Sequence, residues 1–320
     1  MVSEVRTPVR VAVLMGGRSA EREVSLNTGA QVAEALGERG HDVSTVDSAR
    51  ADFITSIQEV TPDVVCICLH GRLGEDGTGQ GLLELLDIPY VGSGVLASAL
   101  ATDKVMTKFL YAAHGIPTPD YVVLRRGENP DEAALAALGE RTVVKPACEG
   151  SSNGMTIVHD PTELPAAIEK AFTRDDRVLV ERFVDGVEVT VGVLGNGDDA
   201  FALPTLQVVP EHEFYDYESK YVPGMSRHVI PAGVPEAARA GCQLAALSAH
   251  RARGCAGVSR TDTIVTADER VFVLETNTIP GMTKTSLLPD AARAAGIEFP
   301  ELCERLIGFA LQNWESRARV

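Results

Sequence analysis

The sequence predicts an α/β protein of three domains, an N-terminal doubly wound parallel sheet followed by central and C-terminal α+β domains. Three observations predict it. The apolar run Val9–Met15 is followed by Gly16-Gly17, a polar turn and a helical stretch to about Leu36, which is how a doubly wound unit opens. The two-proline connection IPTPDYVVL carries the chain out of a long helical stretch into new strands. Beyond it, strands are separated by short polar turns such as Gly150–Gly154 and Ala267–Arg270, the pattern of hairpins. The 320 residues suffice for two or three domains with a large buried core.

Composition narrows the partners. A hydrophobic content of 45% and a charged content of 23% fit a soluble globular chain. The net charge of −16 argues against nucleic acid or an anionic membrane as the main partner. It leaves room for a phosphate ligand on local basic residues. No stretch approaches the ~20 apolar residues of a membrane span. The N-terminal apolar run is too short for a signal peptide, ends in Gly-Gly and lacks a small-residue cleavage site, so it reads as a buried strand. Six cysteines (Cys66, Cys68, Cys148, Cys242, Cys255, Cys303) form no C-x-x-C pair and read as reduced, mostly buried thiols of a cytoplasmic protein.

In chain order, Glu21 falls beside the carboxyl edge of the first strand, where such sheets bind ligands, or serves as a first-turn acid on the helix dipole. Asp42–Val46 and Asp63–Leu69 are further strands around a helix at Asp52–Val60. His70 ends the third strand, either structural or in contact with a substrate carboxylate, and a five-glycine loop follows. Gly81–Leu86 is helical, and IPYVGSG gives a short strand and a turn. Ala97–His114 reads as one long helix carrying Lys104 and Lys108 one turn apart, with the first domain boundary at 99. After a helix at Asp131–Leu138, Lys145 ends a strand before the small-residue tip Gly150–Gly154 and a strand at Met155–Val158. That tip is a plain hairpin or a backbone cradle for phosphates; with no helix and no G-K-[ST] after it, it is not a Walker A loop. A helix spans Thr162–Phe172.

Glu181 and Glu188 bracket a turn between two strands, near the second boundary at 185, as surface acids or as contacts for a nucleoside. Ala200–Val209 reads as a strand containing Pro204. EFYDYESKYVPG, with Lys220 and Tyr221, reads as an ordered loop over a site. Pro235–Gly254 is a helix. The chain's centre of chemistry is the hairpin of Thr261–Val265 and Val271–Leu274. Glu275 and Asn277, two apart, share a face, and with Asp262 they make an oxygen set suited to Mg²⁺ or Mn²⁺. Arg260 shares Asp262's face and can hold an anion there. Pro280 and Gly281 follow, then Thr285–Ser286 opens a helix whose N-terminus favours a carboxylate. Pro289–Gly296 and Phe299–Arg317 are closing helices.

The motifs GGRSAEREVSL, LHGRLGEDGTGQGLLELLDIPYVGSG, VVKPACEGSSNGM, VERFVDGVEVTV, FYDYESKY and LETNTIPGMTKTSLLP, in that order, resemble those of the D-alanine–D-alanine ligases of the ATP-grasp superfamily, over about Val11 to Ala310. The resemblance implies an ATP-grasp architecture of an N-terminal substrate domain (1–98), a central lid (99–184) and a C-terminal catalytic domain (185–320), with ATP clamped between the last two. It implies that ATP activates one D-alanine as an acyl phosphate, which a second D-alanine attacks to give the dipeptide for peptidoglycan synthesis. It further implies that Asp262, Glu275 and Asn277 hold two Mg²⁺ (or Mn²⁺) ions. Lys104, Lys145 and the loop from Gly150 through Ser151 and Ser152 then face phosphates, and Glu181 and Glu188 face adenine and ribose. Arg260 and the Gly281 N–H stabilise the oxyanion. Glu21 with Ser151 and Tyr221 orients the substrates, and His70 contacts them. Lys220, Ser286 and Leu287 hold the second carboxylate. A homodimer is implied too, although no interface is readable.

Departures are modest: Thr102 stands where relatives commonly have Met, Cys148 replaces a charged or polar residue, and Thr263 replaces larger apolar groups. Cys148 is thereby a candidate point of sensitivity to thiol reagents. Tyr221 implies an amine acceptor and hence a dipeptide. The alternatives are a related ligase that joins or cyclises another D-amino acid, one that makes a D-alanyl-D-lactate depsipeptide, and a nucleotide-binding regulator without catalysis.

Overall fold

The computed structural model describes residues 8–150, 153–210 and 226–317. Three sheets organise it. The first is parallel, in the order β2-β1-β3, from β1 (Arg10–Met15), β2 (Asp42–Asp47) and β3 (Val64–Ile67). Helices α1 (Arg22–Glu38) and α2 (Phe53–Val60) make the crossovers. Strand β1 is buried on both faces, as its unbroken apolar run requires. Val11 and Val13 pack with Val32 and Leu36 of α1 and with Leu302 and Leu306 of the last helix. Ala12 and Leu14 pack with Ile57 of α2 and Leu83 of α3 (Thr78–Leu85). The short strand expected in IPYV is a single parallel bridge, Val65 to Tyr90.

The helix expected over Ala97–His114 is two, α4 (Val95–Thr102) and α5 (Lys104–Ala113). Asp103 divides them. Its backbone is extended, and its carboxylate accepts from the N–H groups of Val105 and Met106 as the N-cap of α5. An Asp that can satisfy two first-turn donors starts a helix better than it continues one.

The second sheet is antiparallel, order β4-β7-β5-β6, from β4 (Tyr121–Arg125), β5 (Thr142–Pro146), β6 (Thr156–Val158) and β7 (Arg177–Arg182). Helices α6 (Glu132–Ala137) and α7 (Leu164–Phe172) cover it through Leu135, Ala167, Ala171 and Phe172. The third sheet runs β11-β10-β8-β12-β13, from β8 (Val187–Asn196), β10 (Leu206–Pro210), β11 (Ser226–Val229), β12 (Ala256–Val265) and β13 (Val271–Asn277). The strand expected over Ala200–Val209 is split into β9 (Phe201–Ala202), which pairs with β8, and β10. Pro204, which lacks an N–H, sits in the gap. Glu181 and Glu188 are close in sequence but lie on strands of different sheets, β7 and β8, which do not pair with each other.

Helix α8 (Glu236–Arg253) backs the third sheet through Ala238, Cys242 and Ala246. The chain ends in α9 (Leu287–Ala294) and α10 (Phe299–Arg317). Leu288 of α9 and Leu302, Leu306 and Phe309 of α10 share one core with Val11 of β1 and Val258 of β12, so the last two helices join the first sheet to the third.

Candidate active site

The expected hairpin forms and pairs with β8, which puts Thr190 opposite Asp262. A bulge between Asp262 and Thr263 leaves Leu274 extra on β13, so Asp262 faces Glu275 and Arg260 faces Asn277. This brings the four predicted residues onto one face. Asp262 is the hub. Arg260 donates to it through Nε (2.9 Å) and Nη2 (2.7 Å), Thr190 Oγ1 donates to Oδ1 (2.5 Å), and Asn277 Nδ2 donates to Oδ2 (3.2 Å). The bidentate Arg260–Asp262 pair is largely enclosed, with side-chain exposures of 15% and 12%, so its charges are screened less than surface charges.

Beside this face lies a charge cluster assembled from three elements. Glu181 of β7, 2% exposed, pairs with Lys145 of β5 and with Lys108 of α5, whose Nζ is 2.5 Å from Oε1. Burial alone raises the Glu181 carboxyl, but the two ammonium groups outweigh it and hold it at about 2. The two lysines diverge. Burial pushes Lys108 down, with Glu181 opposing and Lys145 adding repulsion. Burial works on Lys145 too, but Glu181, Glu275 and Glu188 together raise it. Lys145 therefore gains from more carboxylates than Lys108 does, and the ion pair of Lys108 is with Glu181. Both Glu181 oxygens thus lie against lysines. Lys108 also donates to Thr118 Oγ1 (2.5 Å). The Lys104–Lys108 spacing was visible in the sequence; the burial of Lys108 was not. Thr190 was missed as well, its only signal being its place two residues after Glu188.

Lys104, in the first turn of α5, donates to the carbonyl of Glu149 (2.5 Å), next to Gly150. Gly150 is exposed, with open space where a Cβ would stand. Ser151, Ser152, Lys220 and Tyr221 lie outside the described residues.

At the carboxyl edge of the first sheet, Glu21 occupies the N-cap position of α1 without capping it. Its carboxylate lies against Gly71, where a Cβ would come within 3.1 Å of Oε2. Ser19 Oγ donates to the His70 carbonyl (3.0 Å), and the buried His70 ring has Thr28 Oγ1 at 3.5 Å and Glu75 at 3.7 Å. Glu21 and the loop after His70 are thereby brought together.

The third group is the turn before α9. Thr283 and Ser286 bond side chain to side chain (2.7 Å), and Ser286 makes no side-chain cap. The first-turn N–H groups of Leu287 and Leu288 therefore have no intrahelical acceptor and suit a carboxylate. A Cβ on Gly281 would stand 3.0 Å from Ser286 Oγ, so a larger residue there would crowd that hydroxyl. The Lys284 N–H donates to Gln31 of α1 (2.8 Å), tying this turn to the Glu21 helix.

The chain as a whole is similar to known proteins. Residues 110–308 match the family described as D-ala D-ala ligase C-terminus, and residues 52–93 the family described as D-ala D-ala ligase N-terminus. The chain belongs to the D-alanine–D-alanine ligase family. The D-alanine--D-alanine ligase of Syntrophotalea carbinolica is 52% identical over 306 residues, covering 94% of this chain and 96% of its own. That of Pelotomaculum thermopropionicum is 46% identical over 318 residues, covering 97% and 99%. Among solved structures, the D-alanine--D-alanine ligase of Bacillus anthracis complexed with ATP superposes with a TM-score of 0.85 at 32% identity, covering 97% of this chain and 99% of that one. The ATP-grasp fold expected of the chain is the fold of this ligase family.

Cys148, the candidate point of thiol-reagent sensitivity, stands among charged neighbours. It is exposed, and Arg177 Nη2 approaches its sulfur at 3.3 Å. Partial burial of the thiol, then Asp103 and Asp175, nevertheless push it up to about 11 against the pull of Arg177. The thiolate is the nucleophile, so alkylation by iodoacetamide is expected to be slow at pH 7. It should accelerate about tenfold per pH unit through pH 9, the slope set by the thiolate fraction. Intact mass against time at pH 7, 8 and 9 checks this; a pH-independent rate contradicts it.

Proposed function

We propose that this ligase-family protein activates one D-alanine with ATP and joins it to a second, yielding D-alanyl-D-alanine, ADP and phosphate for peptidoglycan precursor synthesis. The observation that carries the reading is the convergence of Arg260, Asp262, Glu275 and Asn277 on one face.

In this reading Lys104 and Lys145 receive phosphate oxygens, the backbone from Gly150 through Ser151 and Ser152 covers the γ-phosphate, and Glu181 and Glu188 receive the nucleoside. Glu21, near His70, holds the first D-alanine by its ammonium. A carboxylate oxygen of that substrate attacks the γ-phosphorus, ADP leaves, and an acyl phosphate forms. The second D-alanine sits with its carboxylate at the N-terminus of α9, on Ser286, Leu287 and Lys220. Its amine attacks the acyl carbon. Arg260 and the Gly281 N–H stabilise the tetrahedral oxyanion, which collapses as phosphate departs. Ser151 and Tyr221 orient the two substrates with Glu21.

Asp262, Glu275 and Asn277 suit a divalent cation of the Mg²⁺ or Mn²⁺ kind. Two carboxylates and an amide are hard oxygen donors, and Asn277 spends its Nδ2 on Asp262, which leaves its oxygen for a cation. Those three residues would hold such ions, two in this reading, which would supply positive charge against the phosphates.

The test is phosphate release from Mg-ATP with D-alanine, L-alanine, D-serine and D-lactate offered separately, with product mass read alongside. Release with D-alanine alone, and a D-Ala-D-Ala mass, is the expected result. Release only with another D-amino acid, or comparable turnover with D-lactate at neutral pH, overturns the substrate reading.

The same proposal divides the chain into units at 1–98, 99–184 and 185–320, each holding one sheet. It places the protein in the cytoplasm, which suits six free cysteines and an ATP substrate. No helix among the described residues is long and apolar enough to cross a membrane. It also makes the protein a homodimer. Leu85 of α3 and Leu96 of α4 are 87% and 70% exposed, apolar side chains that a second copy would cover. Light scattering at micromolar concentration should give twice the chain mass, and Leu96→Glu should give the chain mass.

A further inference from the structure

The ligand face of β12 and β13 has a back, and it carries a chain of hydroxyls. Side chains alternate along a strand, so Thr261 and Thr276 point away from Arg260, Asp262, Glu275 and Asn277. The two threonines are opposite in register, and their Oγ1 atoms lie 2.9 Å apart. Tyr111 of α5 reaches Thr276 Oγ1 with its hydroxyl at 3.0 Å. All three side chains are buried, Tyr111 and Thr261 completely. The buried Arg253 guanidinium lies 4.7 Å from the Tyr111 ring centroid and also interacts with the hydroxyl.

This chain sits where the sheet most needs it. At Leu274 the bulge changes the pairing register, and only beyond it do Asp262 and Glu275 come opposite each other. A slip of one residue there would turn Thr276 to the front and Glu275 to the back. Among the described residues strand β13 is also the sheet edge, so no further described strand pins it. On that side Val273 N–H donates to the Pro117 carbonyl (2.8 Å) and Thr118 Oγ1 donates to the Val273 carbonyl (2.8 Å), both before the bulge. Beyond it, the hydroxyl chain supplies a side-chain anchor on the back face, opposite the Asn277–Asp262 contact of the front.

Helix α5 does more than hold Tyr111. Lys104, Lys108 and Tyr111 are spaced i, i+4, i+7 and share a face. They meet, in turn, the Glu149 carbonyl before the glycine tip, the Glu181 carboxylate, and Thr276. One rigid helix therefore spaces the phosphate loop, the nucleotide-side carboxylate and the metal-side strand.

We propose that Tyr111 is a positioning residue: through Thr276 and Thr261 it holds Asp262, Glu275 and Asn277 in cation-binding register and ties them to the nucleotide side. This rests on the metal reading of the front face given above. Outer contacts of metal ligands typically set affinity by 10–100-fold.

The test uses the full chain with Tyr111→Phe, which keeps the ring under Arg253, and Thr276→Val and Thr276→Ser. Mn²⁺ is titrated into the protein–ADP complex and bound metal is read by electron paramagnetic resonance; ADP affinity is measured separately in EDTA. Tyr111→Phe and Thr276→Val should each raise the Mn²⁺ dissociation constant about tenfold or more, leave ADP affinity in EDTA within about twofold, and lower kcat with little change in KM for D-alanine. Thr276→Ser should restore the wild-type Mn²⁺ constant. The double variant should be no worse than either single one, because both break one chain. Wild-type Mn²⁺ binding left unchanged by Tyr111→Phe and Thr276→Val, whatever happens to Tm, overturns the inference alone. A wild-type complex that binds no Mn²⁺ overturns the metal reading and the inference with it.

Discussion

Arg260→Met should reduce kcat by about 10²–10³-fold, the measured scale for losing one donor to a developing oxyanion, with KM for either D-alanine little changed. The guanidinium is held by a bidentate contact to Asp262 on the face that also carries Glu275 and Asn277. Arg260→Lys should recover little of the loss. It keeps the charge, but an ammonium cannot reproduce the planar fork that meets both Asp262 oxygens. The structural cost is limited, because Thr190 and Asn277 still donate to Asp262. Steady-state kinetics with thermal unfolding as control checks it. A variant with wild-type kcat would remove Arg260 from the reaction, and a fall confined to KM would make it a ground-state binding group.

Glu181→Gln should destabilise the protein by about 3–5 kcal/mol, because it leaves a buried cation uncompensated. At ~2.1 cal/mol/K per residue of unfolding entropy that is a Tm lower by about 4–8 °C. The cost falls mainly on Lys108, since Lys145 keeps Glu275 and Glu188 while Lys108 has Glu181 as its ion-pair partner. Adding Lys108→Met should recover part of the loss, a non-additive result expected of two residues in one pair.

The pH dependence follows from the same cluster. Glu181 has a folded pKa of about 2, below the ordinary ~4.3 of an unfolded glutamate. A depressed carboxyl contributes stability that is fully present above the unfolded value and is lost as pH falls through the folded one. Wild-type stability should therefore decline between about pH 5 and pH 1 by roughly 3 kcal/mol from this group, about 2 kcal/mol of it between pH 4 and pH 2, and Glu181→Gln should lack that decline. Denaturant melts at pH 2, 3, 4 and 7 distinguish the two. Parallel acid profiles would show that Glu181 does not carry it.

These expectations differ in how far the chain alone foretold them. Asp262, Glu275 and Asn277 were legible because strand periodicity places i and i+2 on one face, and the hairpin turn Ala267–Arg270 is local. The first parallel sheet was legible for a similar reason: β1 reads as one unbroken apolar run because it is buried on both sides. Local signals failed where a side chain competes for the backbone or cannot serve it. Asp103 caps α5 instead of continuing α4, and Pro204 divides β9 from β10. The resemblance carried the roles of Ser151, Ser152, Lys220 and Tyr221, which lie outside the described residues.

What the sequence determined by itself was therefore whatever spacing along one element encodes: which faces are apolar, which oxygens share a strand face, and which turn opens α9. What the tertiary structure decided was every pairing between elements. Glu181 and Glu188, seven residues apart, belong to different sheets, whereas Lys108 and Glu181, 73 apart, form a buried pair. Tyr111 meets Thr276 across 165 residues, on the side of the hairpin opposite Asp262 and Glu275. Spacing cannot carry such information, because a buried ion pair or hydroxyl contact depends on where sheets and helices pack, and packing is set by the hydrophobic core as a whole rather than by the residues that meet.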